Sequence, residues 1–129
     1  MITEDYVSFE TAKLLKDKGF DENCAALYDL RTGEISQQGV GYVFNNSQWE
    51  NFITAPTLQM AMKWLREVHN IAISVYVFNR YLPIEANDII YTCDIATTSM
   101  APNDGFLRLA GPYEEVCESA IKHCLEKLI

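Results

Sequence analysis

The sequence predicts one α+β domain over residues 1–129, in the order α-β-β-α-β-β-β-α, with helices packed on a mainly antiparallel sheet as a two-layer sandwich. Three observations carry this. Between Thr54 and Phe78 a capped amphipathic helix runs, with almost no spacer, into a β-branched strand. The turn Arg31-Thr32-Gly33-Glu34 puts glycine where a hairpin needs positive φ. Helix starts near residues 9, 56 and 113 are separated by strand segments, a loose helix-then-hairpin repeat. The alternative, helices on both sheet faces, draws on the two-sided apolarity of the strand after the second helix.

The first helix is expected from Phe9 to Lys18, with Ser8 as N-cap and Glu10 meeting the helix dipole. Ala12, Leu14 and Leu15 give its buried stripe. Gly19 suits the left-handed position after the last turn, so that Phe20 folds back on Leu15. A strand follows over Cys24–Leu30, with Cys24, Ala26, Tyr28 and Leu30 on one face. The return strand starts near Ile35, is interrupted by Gly39 and Gly41, and places Val40, Tyr42 and Phe44 on one face. Gln48 to Ile53 has no readable pattern, and within it Trp49 and Phe52 are expected to pack as a cover.

The second helix is expected over Pro56–Asn70 behind a Thr54 cap, with proline in the first turn. Leu58, Ala61, Met62, Leu65 and Val68 form its stripe, widened by Met60 and Trp64. The next strand sets Ile71, Ile73, Val75 and Val77 on one face and Ala72, Ser74, Tyr76 and Phe78 on the other, which argues for a central position. A loop with Pro83 leads to a strand over Asp88–Ala96, with Ile89, Tyr91, Cys93 and Ile95 inward and Thr92 and Asp94 outward. After the turn cluster Pro102-Asn103-Asp104-Gly105 a short strand fits Phe106–Leu109. Gly111-Pro112 opens the last helix, whose stripe is Cys117, Ala120, Ile121, Cys124 and Leu128.

Three segments resemble a known family. They are Phe9-Glu10-Thr11-Ala12-Lys13-Leu14-Leu15 with Lys18-Gly19-Phe20-Asp21, then Ala55 through Asn70, and Tyr113-Glu114-Glu115 with Ala120 through Glu126. In these the chain is similar to small uncharacterised proteins encoded by phages and prophages of gut anaerobic bacteria, and its order of elements resembles that of phage-type α/β sandwich domains. The resemblance implies a mobile element in a bacterium and carries over no catalytic residue.

The charge balance narrows the function classes. Ten Lys and Arg against eighteen Asp and Glu give a net charge of −8, so direct binding to nucleic acid or to an anionic membrane is not expected. No apolar run reaches the roughly 18 residues of a membrane span, and MITEDYVSFE has no signal-peptide pattern, so a cytoplasmic location is expected, in a bacterial host as the resemblance implies.

Catalytic and metal motifs are missing. Cys117 and Cys124 lie about 10 Å apart along one helix, too far for a disulfide, and all four cysteines read as buried structural thiols. His123 points off their face, and His69 reads as a helix-end residue that suits the dipole. No cofactor, catalytic residue or metal ligand is assigned. Glu114-Glu115 and Asp21-Glu22 read as first-turn and solvated carboxylates, and Asn103-Asp104-Gly105 lacks the spacing of a calcium loop. The expectation is a non-catalytic accessory protein acting through protein contacts or self-association, with Tyr76 and Phe78 as its candidate interaction surface. An acidic inhibitor mimicking nucleic-acid charge and an enzyme with an unrecognised site are the alternatives.

Overall fold

The structure is a computed structural model that describes residues 2–37, 43–47, 50–78, 89–98 and 110–129. It is α+β, with three helices packed on two small antiparallel sheets. The elements are α1 (Phe9–Asp17), β1 (Ala26–Asp29), β2 (Ile35–Gln37), β3 (Phe52–Thr54), α2 (Leu58–His69), β4 (Ala72–Val77), β5 (Tyr91–Ala96) and α3 (Tyr113–His123). A π-helical turn, Cys124–Leu128, continues α3. Strand order is β2-β1-β3 in one sheet and β4-β5 in the other. The expected order of helices and hairpins holds, with β3 as an addition. The expectations for residues 38–42, Trp49, the Pro83 loop, Asp88, the Pro102–Gly105 turn and the strand at Phe106–Leu109 lie outside the described residues.

α1 forms where its cap dictates. Ser8 Oγ accepts from the Thr11 N–H at 3.2 Å. At the other end Gly19 takes φ 92°, and the Phe20 N–H reaches back to the Leu15 carbonyl at 2.9 Å. Phe20 is thereby seated in the core, edge-on to Trp64 at 5.4 Å. Gly33, at φ 72°, closes the β1–β2 turn and donates to the Asp29 carbonyl at 2.7 Å. An added Cβ there would stand 3.2 Å from the Phe9 ring.

α2 starts two residues later than expected and its cap lies three residues later. Thr57, not Thr54, accepts from the Met60 N–H, at 3.1 Å. Thr54 is instead the last residue of β3, opposite Leu27 of β1, and its N–H donates to Asn46 Oδ1 at 2.9 Å. Replacing Thr57 by alanine leaves the Met60 N–H without its side-chain acceptor. The expected cost is about 1 kcal/mol by urea denaturation, while Thr54→Ala leaves the helix cap intact. Equal helix fraying in both variants would contradict this assignment.

α3 sits at the centre. It packs on β4 and β5 and against α1 and α2, while α1 packs on β3. Val116, Cys117, Ala120, Ile121, Cys124 and Leu125 are all wholly buried. Polar links tie α3 to α1: Glu118 Oε1 accepts from Thr11 Oγ1 at 2.7 Å and from the Ser8 N–H at 3.1 Å. Lys122 pairs with Glu10 at 2.9 Å.

Three burial expectations are corrected. Val68 is 56% exposed and lies off the α2 core stripe, whereas Trp64 is buried. Ile89 is exposed ahead of β5, and Thr92, expected outward, is buried. β4 pairs with β5 alone among the described residues rather than standing between two strands.

Candidate interaction surface

Tyr76 and Phe78 lie on the face of β4 that turns away from Ile73 and Val75, the residues packed toward the core. Their face continues across β5 by register: Ser74 opposes Asp94 and Tyr76 opposes Thr92. Tyr76 is half-buried and its hydroxyl donates weakly to Asp94 Oδ1 at 3.4 Å. Phe78 is 37% exposed at the strand end, where its N–H meets the Ile90 carbonyl at 2.7 Å. The face is only partly apolar, because Ser74 and Asp94 interrupt it. Thr92 at its middle is buried.

A second surface follows from the part of α2 that the core does not use. Met60, Trp64 and Val68 stand at i, i+4 and i+8, on one flank of the helix. Met60 and Val68 are exposed, at 37% and 56%, and Trp64 between them is buried. A cavity of about 340 Å³ lies against Trp64 and Val68, bounded by Glu22, Asn23 and Glu67. A second, of about 470 Å³, continues past Met60 to Cys24, Val43 and Tyr6. Asn23 and Met60 line both, so the two concavities adjoin along α2 and make up a groove beside the segments around Cys24 and Val43. An isolated bridge between Cys24 and Phe44 fixes those two segments beside each other, with N–H···O bonds of 2.7 and 2.8 Å.

The groove floor is soft and uncharged. Cys24 Sγ lies 4.0 Å from Met60 Sδ. Burial pushes the Cys24 thiol up to about 11, with the nearby Thr54 hydroxyl pulling the other way. The floor therefore stays neutral near pH 7 and has no thiolate nucleophile. Charge is confined to the rim and flank, as Glu4, Glu22 and Glu67 against Lys63.

Two further thiols shift with burial. Burial raises Cys124 to about 12 and also raises Cys117. His69 stacks edge-on against Trp64 at 4.7 Å, and its Nε2 is buried without a hydrogen-bond partner. Desolvation lowers His123, which sits half-buried near the chain's C-terminal turn. Among the described residues no three His, Cys, Asp or Glu side chains converge in a way that could hold a metal ion. No helix among the described residues is long and apolar enough to cross a membrane.

Tyr76 and Phe78 thus share a face, as their spacing implies, but the groove was not foreseen. Its signal was present in α2, whose apolar arc of seven residues is wider than one core contact uses. Comparison of the chain with protein-family models, with curated proteins and with solved structures finds no match in any of the three.

Proposed function

We propose that this chain is a non-catalytic accessory protein of a bacterial phage or other mobile element, acting in the cytoplasm through protein–protein contacts. The observation that supports this reading is the groove along α2, where Met60, Val68 and Val43 remain exposed around two joined cavities. Exposed apolar side chains gathered along one concavity lose water favourably only when something fills it. The partly apolar Tyr76–Phe78 face is the second surface to test.

A photo-crosslinking amino acid tests both surfaces. It is placed at Met60, at Phe78 and, as a control, at exposed Asp17 of α1, in cells that naturally carry the gene. The expected result is a discrete protein adduct at Met60 that disappears when Val68→Asp is added. An adduct at Phe78 alone would move the contact to the sheet. Identical labelling at all three positions, or none at Met60 and Phe78, would overturn the contact reading.

A further inference from the structure

The α2 groove has a length, a texture and a charge, and together these specify more than contact. Met60 and Val68 are eight residues apart, about 12 Å along the helix. That is the span of three apolar side chains at i, i+4 and i+7 on a second helix laid alongside. The floor offers Met60 and the Cys24 sulfur, which adapt to irregular apolar shapes, beside Trp64. The flanks carry three carboxylates, Glu4, Glu22 and Glu67, against the single ammonium of Lys63, within a chain of net charge −8. Glu22 and Glu67 lie with Lys63 at the Val68 end and Glu4 at the Tyr6 end, so among the described residues carboxylates stand at both ends of the floor and outnumber the one ammonium.

Resting on the contact function proposed above, we infer that the groove receives an amphipathic helix of a partner protein, with an apolar stripe of about two turns and Lys or Arg flanking it. An acidic helix would meet carboxylates at both ends and be steered away by the field of the whole chain. A polar basic segment without the stripe would leave the groove floor hydrated.

The test uses the intact chain and three helical peptides with one Leu/Ile stripe, flanked by Lys/Arg, by Gln or by Glu. A fourth peptide keeps the Lys/Arg flanks and has Ser in place of the stripe. Binding is read by anisotropy of labelled peptide. It is read independently by tryptophan emission in Trp49→Phe, which leaves Trp64 as the sole tryptophan. The basic striped peptide should bind about tenfold or more tighter than each of the others, and its affinity should fall with salt. Val68→Asp should abolish that binding. The double variant Glu22→Lys/Glu67→Lys should cut it about tenfold and reverse the preference between basic and acidic peptides. All three positions are exposed, and circular dichroism would confirm folding of the variants.

Equal binding of the basic and Gln peptides would overturn the charge assignment. Binding of the stripe-free basic peptide as tight as the striped one would overturn the groove as the seat. If none of the peptides binds while Met60 still crosslinks to a protein, the helical occupant is wrong and the contact function stands. Failure of both experiments removes both.

Discussion

Leu65→Ala should lower the stability of the domain by about 2–5 kcal/mol, out of the roughly 5–15 kcal/mol that a domain of this size possesses. Leu65 is wholly buried in the middle of α2, and its carbonyl accepts the Ile71 N–H at 3.1 Å where the chain turns into β4. Truncation removes three carbons from a site bounded by a helix on one side and a sheet on another. Neither can collapse far into the gap. Val68→Ala on the same helix should change stability by only about 0.5 kcal/mol, because Val68 is exposed. Urea denaturation of both variants reads the contrast directly. A Leu65→Ala midpoint near the parent's, or equal losses in the two variants, would mean that α2 presents a different face to the core.

That contrast also marks how far the sequence could be read. The stripe Leu58, Ala61, Met62, Leu65 was legible because its members fall within a narrow arc. Val68, ten residues after Leu58, lies only about 20° beyond Ala61 at the edge of that arc, in the last turn of α2, where it lines the groove instead. Helix ends were legible wherever a local hydrogen bond decides them. Ser8, Gly19 with Phe20, and Gly33 all behave as their residue types require. The Thr54 cap was misplaced because two threonines compete, and the tie is broken by a partner distant in sequence. β1 claims Thr54 for pairing, which leaves Thr57 to cap.

β3 itself was hidden for the same reason. Three residues show no alternation, and what makes Phe52–Thr54 a strand is its ladder to β1 and the Asn46 side chain. Thr92 shows the limit of reading a strand by alternation alone. It follows the polar phase of β5, opposite Tyr76, yet is buried. The groove lies furthest from the sequence. Its α2 wall is visible in the heptad-like run Met60, Trp64, Val68, but its other wall depends on the bridge that brings Phe44 beside Cys24. Nothing local to either residue announces that pairing.

Raising the pH from 8 to 11 should steeply lower the stability of this protein, and the buried thiols are the main reason. Burial holds Cys24 at about 11 and Cys124 at about 12 in the folded chain, against about 8.5–9 for a cysteine in the unfolded one. Below about pH 8.5 both states keep these protons, and the full stability is present. Above that, the unfolded chain releases protons that the folded chain retains, so stability falls with rising pH until the folded thiols also ionise. Each thiol costs about 1.4 kcal/mol per pH unit in that window. By pH 11 the two together remove about 5 kcal/mol, comparable with the whole stability of many small domains. Cys117 is raised by burial as well, and Tyr28, whose hydroxyl donates to the Val7 carbonyl, is raised chiefly by burial; both push in the same direction. Urea midpoints measured from pH 7 to pH 11 should therefore decline steeply above pH 9. Thiol labelling at pH 8 should be slow until denaturant is added. The double variant Cys24→Ala/Cys124→Ala isolates the cause: it starts less stable at pH 7 because of lost packing, but its midpoint should fall with a distinctly shallower slope. A parent midpoint that stays level to pH 11, or a double variant that declines just as steeply, would show that the thiols do not govern the alkaline limit.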